Sequence, residues 1–166
     1  METMSNIENI KKTLALFLEL EEFRFETQEE NERRVLVQLG FSSEQGPIRY
    51  FIDYQIESNL IQFTNFTSHY VPEDKRNDVQ TYYSLVNDNN THWGSIHLNV
   101  LNGQTFSRSS LLLDDLEDVS IGLVKRAFHI NMFNLNTYFP GTMKIVYGDV
   151  SPLQVYKEVL GAVDDE

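Results

Sequence analysis

The chain contains no cysteine among its 166 residues. Disulfide bonds, thiolate metal sites, iron–sulfur clusters and cysteine nucleophiles are therefore excluded. No run of residues approaches the roughly 18 apolar positions that a membrane-spanning helix needs. The first residues include acidic side chains, whereas a signal peptide begins with basic ones, and no uninterrupted apolar segment follows them. From these absences we expect a cytoplasmic protein.

Positive charge is also scarce. The sequence has 13 Lys and Arg against 25 Asp and Glu, which gives a formal net charge of −12. A surface of that sign repels the phosphates of nucleic acids. No cluster of Lys or Arg is present that would bind anionic lipid. We therefore expect neither nucleic acid nor a membrane as a partner.

The patterns that carry catalysis or bind cofactors are missing as well. The histidines at 69, 92, 97 and 129 lack metal-ligand spacing, and the eight glycines never cluster into a phosphate-binding loop. The serines at 107, 109 and 110 do not lie in the Gly-x-Ser-x-Gly motif of a nucleophile elbow. The acids at 114, 115, 117 and 118 fit the start of a helix, with a divalent-cation site as the weaker alternative. The sequence predicts a non-enzymatic protein without catalytic residues, metal or cofactor.

What is present is enough apolar material for one core. Apolar residues make up 41% of the chain and aromatic residues 12%, which is too much for a disordered chain of this charge. At this length one domain is expected. Hydrophobic periodicity predicts the order αβββαββα, which is an α+β fold with an antiparallel sheet of about five strands packed against helices.

The predicted elements follow from their spacing and their caps. A capping box at Ser5 opens a first helix that ends near Leu20, and alternation from Arg33 to Phe66 predicts a three-strand meander. The second helix starts at Pro72 and ends at residues 87–90. Two more strands flank Asn102-Gly103, a dipeptide typical of two-residue hairpin turns.

The third helix is predicted to start at Asp114 or Asp115 and to reach about Tyr138, where Pro140 and Gly141 end it. Residues 1–140 then form the main domain. Residues 141–166 form a C-terminal extension packed on it, with a short strand, Met143 to Tyr147, and a helix capped by Ser151 that ends at Gly161.

Apolar residues of the third helix follow two lines, so two of its sides are buried. The first line comprises Leu116, Val119, Leu123, Ala127 and Ile130. The second line contains the residues that we take as a candidate partner or self-association surface: Ile121, Val124, Phe128, Met132 and Leu135. The alternative is that this second side meets a neighbouring helix of the same chain.

A polar patch is predicted on the exposed sheet face. With Asn102 and Gly103 at the two turn positions, His97 lies opposite Arg108, beside Asn99 and Phe106. This patch is either a surface that binds a ligand or ordinary cross-strand pairing in solvent, and the second interpretation is favoured.

The chain resembles the YbjN family in the order and spacing of its elements between about residues 7 and 140. The residues that carry the resemblance are the hairpin Tyr50 to Phe66, the helix start Val71 to Arg76, Val86-Asn87 with Asn90, Trp93-Gly94 with Ile96 and Leu98, and Arg108 before Leu111 to Leu113. The resemblance implies a fold like that of type III secretion chaperones. It also implies a small, acidic, usually dimeric bacterial protein that regulates sensory transduction. The C-terminal extension departs from the family pattern.

Three functions follow as hypotheses. The first is a protein-binding module, a regulator or chaperone-like adaptor that presents a sheet face or helix groove to a partner or client peptide, with a homodimer as a further option. The second is a small-molecule sensor or enzyme with a cavity between the sheet and the long helix, lined by Tyr50, Tyr54, Tyr82 and Phe128. The third is a structural subunit of a larger assembly.

Overall fold

A computed structural model describes residues 2–43, 46–90, 94–113 and 119–163. These residues contain four α-helices and six β-strands. In chain order they are α1 (Glu2–Leu20), β1 (Phe25–Glu30), β2 (Arg34–Ser43), β3 (Gly46–Gln55), β4 (Leu60–Tyr70), α2 (Arg76–Asn90, preceded by a 3-10 turn at Glu73–Lys75), β5 (Gly94–Leu98), β6 (Gln104–Leu112), α3 (Ile121–Gly148) and α4 (Pro152–Val163). The predicted α+β class with an antiparallel sheet is confirmed.

The strands form one sheet in the order β1-β2-β3-β4-β6-β5, and every neighbouring pair is antiparallel. The strand β1 was not among the five predicted strands, because three of its six residues, Phe25–Glu30, are acidic and its side chains are mostly exposed. It pairs with β2, with a bulge between Thr27 and Glu29. The sheet therefore ends at β1 on one side and at β5 on the other.

Alternation along the strands builds the hydrophobic core. In β2, β3 and β4 every second side chain is buried, and α1 and α3 pack on that side of the sheet. The largest cluster joins Ile10, Leu14, Phe17 and Leu18 of α1 with Val35, Val37, Leu39, Tyr50, Ile52, Tyr54, Ile61 and Phe63 of the sheet and with Val124, Ala127 and Phe128 of α3. The alternating pattern predicted this buried side correctly.

A polar seam runs through the contact between α3 and the strands β4 and β6. Asn65 Nδ2 donates a hydrogen bond to Oδ1 of Asn131 at 2.8 Å, and the Ser107 hydroxyl donates to Oδ1 of Asn65 at 3.0 Å. Asn131 Nδ2 donates to the Phe63 carbonyl at 3.3 Å. All three polar side chains are fully buried, so their mutual hydrogen bonds offset the loss of water and fix how α3 sits on the sheet.

A second cluster joins α2, α3, α4 and β5. The apolar stripe of α2 is fully buried in it: Val79, Tyr82, Tyr83 and Val86. Tyr82 donates a hydrogen bond to the carbonyl of Tyr138 at 3.0 Å. The α4 helix begins after Ser151, whose hydroxyl accepts a hydrogen bond from the Gln154 amide, and buries Val155 in the same cluster. The C-terminal helix therefore packs on its own domain.

The end of α3 differs from the prediction. The helix continues through Pro140 to Gly148, so the strand predicted for Met143 to Tyr147 is wrong, and the boundary proposed at residue 140 falls inside a helix. Pro140 lacks only one backbone donor, and the residues after it are held by packing: Gly141, Thr142 and Ile145 are buried against α2 and α4. Tertiary contacts thus override the local stop signal.

The start of α3 also differs from the prediction. Ser120 is the N-cap, and its hydroxyl accepts a hydrogen bond from the Leu123 amide at 3.2 Å. The predicted caps, Asp114 and Asp115, lie outside the described residues. The predicted first line of α3 is therefore shortened, because Val119 precedes the helix.

Candidate functional site: the open face of the sheet

The helices leave one side of the sheet uncovered. α1, α2 and α3 contribute their buried side chains to clusters on the core side, and no described helix packs on the other side. We call that side the open face. Strand register assigns to it Arg34, Leu36 and Gln38 of β2, Arg49, Phe51, Asp53 and Gln55 of β3, Gln62, Thr64 and Phe66 of β4, Ser95 and His97 of β5, and Phe106, Arg108 and Ser110 of β6.

An aromatic row crosses this face over four strands. The ring centroids of Phe51 and Phe66 are 5.8 Å apart, those of Phe66 and Phe106 are 5.5 Å apart, and those of Phe106 and His97 are 5.0 Å apart. The His97 ring stacks on Phe106 with an angle of 26° between the ring planes. Each of these side chains is half-buried. The row supports the sheet through cross-strand pairs and still presents apolar surface to the solvent.

A depression of about 290 Å³ lies beside this row. Its lining combines apolar and polar side chains: Arg34, Leu36, Phe51, Asp53, Gln62, Thr64, Phe66 and Arg108. Thr64 is buried and is smaller than its neighbours, and it pairs directly with Arg108 on β6. The depression therefore combines an apolar wall, several hydrogen-bonding groups and two guanidinium groups.

One of those guanidinium groups is fully paired. Arg34 donates two hydrogen bonds to the buried carboxylate of Asp53, from Nε at 2.6 Å and from Nη2 at 2.9 Å. Gln55 donates a third to the same carboxylate at 3.0 Å. The hydrogen bond with Asp53 raises the pKa of Arg34 above its ordinary value. This bidentate arrangement holds β2 against β3 and leaves the Asp53 carboxylate satisfied.

The second guanidinium, that of Arg108, has no acidic partner among the described residues. Its Cζ lies 5.3 Å from the centre of the Phe106 ring, which it covers. Its Nε is buried and has no hydrogen-bond partner within the described part of the chain. Arg108 is therefore a half-buried cation that is positioned by an aromatic ring but not neutralised.

On β5, His97 and Ser95 lie next to Arg108 of the neighbouring strand β6. The Ser95 hydroxyl and Nε2 of His97 are 2.5 Å apart. Burial, and secondarily the charge of Arg108, lowers the pKa of His97, so its ring is neutral at neutral pH. A serine–histidine pair needs a third group that orients the other ring nitrogen, and the described residues place no hydrogen-bond partner there. Within the described residues the contact is therefore a hydrogen bond between two neighbours on one strand.

The predicted polar patch exists with a different register. His97 lies opposite Phe106, and Ser95 lies opposite Arg108, so the predicted pairing of His97 with Arg108 is wrong by two residues. The turn contains four residues instead of two: the Asn99 amide donates to the Gln104 carbonyl, and the Gly103 amide donates to the Asn99 carbonyl. A shift of two residues keeps side chains on the same face, which is why His97, Phe106 and Arg108 still lie together.

The predicted partner surface of α3 lies mostly in the interior. Val124 and Leu135 are 0% exposed and Phe128 is 4% exposed, while Ile121 and Met132 are half-buried against the same cores. Phe128 contacts the rings of Phe17 and Tyr50. In the folded chain this side of α3 is therefore occupied by α1 and the sheet, as in the intramolecular alternative.

The described residues contain no group of three or more His, Asp or Glu side chains that would hold a metal ion. His92 and the acids at 114–118 lie outside the part of the chain that the structure describes. None of the described helices is long and apolar enough to cross a membrane.

Sequence reasoning named His97, Phe106 and Arg108 but missed the rest of the open face. Phe51 and Phe66 alternate with the core residues of β3 and β4, and that alternation places them on the side of the sheet away from the core. The signal was in the sequence, but the order of β4 beside β6 was needed to join the two halves of the row.

Comparison with known proteins adds no assignment. No family model, no curated protein and no solved structure matches this chain.

Proposed function

We propose that the chain is a non-enzymatic protein-binding module, a regulator of signal transduction or a chaperone-like adaptor, which receives a segment of a partner protein on the open face. The observation that carries this proposal is the row of half-buried aromatic side chains on a sheet face without a described helix on it. The resemblance to the YbjN family supports the same class of function and a fold like that of type III secretion chaperones.

Aromatic surface is the material from which protein interfaces are made. Phe and Arg supply binding energy at the centre of an interface, where neighbouring residues exclude water. The open face has both, and the depression between Leu36, Phe51 and Phe66 offers a place for one anchoring side chain. A segment bound there would lie on the side of the sheet away from the hydrophobic core.

The cavity alternative has no comparable observation in its favour. Tyr50, Tyr54, Tyr82 and Phe128, the residues that would line a cavity between the sheet and α3, are all buried within hydrophobic clusters.

The experiment that tests the proposal compares partner capture by three forms of the protein. The tagged wild type, Phe66→Ser and Leu153→Ser are each used to capture proteins from a native lysate of the source cells. Phe66→Ser interrupts the aromatic row at its centre. Leu153→Ser is the matched control, because this side chain is 52% exposed on α4, away from the sheet. Circular dichroism and light scattering on the same samples check fold and mass.

We expect a stoichiometric partner that is captured by the wild type and by Leu153→Ser but not by Phe66→Ser. Capture that survives Phe66→Ser would move the interface away from the open face. A folded wild type that captures nothing would remove the support for an adaptor.

A further inference from the structure

We infer that the segment bound on the open face carries a side-chain carboxylate, from Asp or Glu, that pairs with Arg108, and an apolar side chain two residues away that enters the depression. This inference rests on the proposed function and adds the chemistry of the partner. The carboxylate would complete the interactions of a cation that the described part of the chain leaves unpaired.

The first step concerns Arg108 itself. Six of the 13 basic residues form ion pairs within the described part of the chain: Lys11, Arg33, Arg34, Lys75, Lys125 and Lys144. Arg49, on the same face as Arg108, has no ion pair with a described residue but is exposed to solvent. Arg108 is half-buried, its Nε is buried without a hydrogen-bond partner among the described residues, and none of the described acids pairs with it. A carboxylate bound at its Nη groups would give this guanidinium an acidic partner.

The neighbours of Arg108 hold its guanidinium in place. Phe106 lies beneath the guanidinium, and Thr64 lies on the neighbouring strand directly across from Arg108. These neighbours restrict the Arg108 side chain before any ligand arrives. An ordered, planar guanidinium in a partly apolar setting forms bidentate hydrogen bonds with a carboxylate and loses little rotamer freedom on doing so.

The third step concerns charge. On the open face Arg34, Arg49 and Arg108 are matched in number by Asp53 of β3 and by Glu26 and Glu29 of β1, whose register partners Gln38 and Leu36 lie on that face. Arg34 contacts both Asp53 and Glu29, so the acids gather at the β1 to β3 side, and from β4 to β6 Arg108 is the one formally charged side chain assigned to this face. His97 is neutral there at neutral pH, because its pKa is lowered. The whole chain carries −12. The part of the open face around Arg108 is thus positively charged on an acidic protein, and a carboxylate is the complementary group.

The open face suits an acidic peptide better than nucleic acid. Aromatic side chains and arginine on an open sheet also suit single-stranded nucleic acid. Such binding, however, neutralises many phosphates, and an acidic protein with one unpaired, half-buried arginine on this face is poorly equipped for that. A single carboxylate beside an apolar side chain fits one guanidinium beside one apolar depression.

The test uses synthetic peptides that present both groups on one side. In an extended chain, residues two apart point in the same direction. The probe is the labelled, N-acetylated and C-amidated heptapeptide Ser-Glu-Ser-Phe-Ser-Glu-Ser, and its counterpart has Gln in place of both Glu residues. Amidation removes the terminal carboxylate, so only side-chain carboxylates are tested. Binding is followed by fluorescence anisotropy for the wild type, Arg108→Gln, Arg108→Lys, Arg49→Gln and Phe66→Ser.

For the wild type we expect the Glu peptide to bind about tenfold more tightly than the Gln peptide, the gain of one charge-assisted bidentate contact. Arg108→Gln should bind both peptides alike, and Arg108→Lys should keep only part of the preference because it lacks the planar fork. Arg49→Gln removes the same charge from the same face and should keep the full preference.

Each contrary result has a definite meaning. Equal binding of both peptides by the wild type, with loss of both in Phe66→Ser, would overturn the carboxylate inference and leave the proposed function standing. A preference that survives Arg108→Gln would also overturn it. Absence of peptide binding at millimolar concentration would overturn it, while partner capture would still decide the proposed function. Displacement of the peptide by oligothymidylate would overturn the inference in favour of nucleic acid as the ligand. A dimer whose interface covers the open face would overturn it in favour of a second copy of the chain.

Discussion

Three fully buried polar side chains fix how α3 sits on the sheet. The polar seam of Asn65, Ser107 and Asn131 was not predicted. An asparagine in a helix normally indicates a solvent-facing side or a cap, and only the approach of β4 and β6 makes Asn131 an interior residue. Hydrogen bonds between distant elements leave no local trace in a sequence.

Phe128 allows a direct test of the core. Its ring contacts those of Phe17, Phe23 and Tyr50, and it is 4% exposed. We expect Phe128→Ala to lower the free energy of unfolding by about 3–5 kcal/mol, because the change removes packing and leaves a cavity. Urea denaturation measures this. The matched control is Phe133→Ala on the same helix, where the side chain is 50% exposed and the change should be much smaller. Equal losses in both variants would contradict the packing described here.

His97 gives the open face a contribution to the pH dependence of stability. Burial first, and the charge of Arg108 second, lowers the pKa of His97 in the folded chain. In the unfolded chain the pKa is about 6.5, so below that pH the unfolded chain takes up a proton that the folded chain resists. The contribution of His97 to the free energy of unfolding is therefore fully present above pH ~6.5. It is lost as the pH falls toward the lower pKa of the folded chain.

We expect the urea midpoint to fall less between about pH 7 and pH 5 in His97→Gln than in the wild type. Other groups titrate in the same range, so the comparison is made as a difference between the two proteins at each pH. Identical pH dependence would show that protonation of His97 is not linked to folding.

Secondary-structure elements were predicted best where one pattern controls the whole element. The alternating strands β2 to β4 and the stripe of α2 follow from periodicity alone. The hairpin between β5 and β6 was predicted with the wrong turn, because Asn102-Gly103 favours a two-residue loop. In the structure Gly103 has φ of +80° and its carbonyl accepts a hydrogen bond from the Val71 amide at 2.7 Å. A contact from a distant segment therefore selects the longer loop.

The contact of α3 with α2 and α4 depends on one glycine. A Cβ added at Gly141 would overlap the ring of Tyr82 and the side chain of Val155, which lies within 2.7 Å of that position. We expect Gly141→Ala to destabilise the protein by about 1–3 kcal/mol, although alanine is the better helix former. Gly122→Ala is the control on the same helix, because its nearest neighbour is 3.9 Å away. Thermal unfolding should show a lower Tm for Gly141→Ala and an unchanged Tm for Gly122→Ala.

At the scale of the whole molecule, the sequence predicted an exposed sheet face but not which strands lie side by side on it. Alternation gives each strand a buried and an exposed side, but it does not give the strand order, in which β6 lies between β4 and β5. The open face follows from this topology rather than from any motif.

The net charge gives a prediction for the molecule as a whole. A charge of −12 on a chain of this size repels itself in the folded state. Raising NaCl from about 10 mM to about 150 mM shortens the screening length from about 30 Å to about 8 Å. We expect Tm to rise, since the exposed ion pairs that salt also weakens contribute little. A fall in Tm would show that attraction between charges outweighs repulsion.

The outer strand β1 has a consequence for polymerisation. An edge strand offers unpaired amide and carbonyl groups on which a further strand of another molecule can grow. On β1 those groups are accompanied by Glu26, Glu29 and Glu30, and the bulge after Thr27 breaks the regular spacing that a cross-β stack needs. Two copies that approach through β1 bring like charges together on irregular backbones. The acidity that hides this strand from sequence prediction thus also disfavours extension of the sheet through β1 from one molecule into the next.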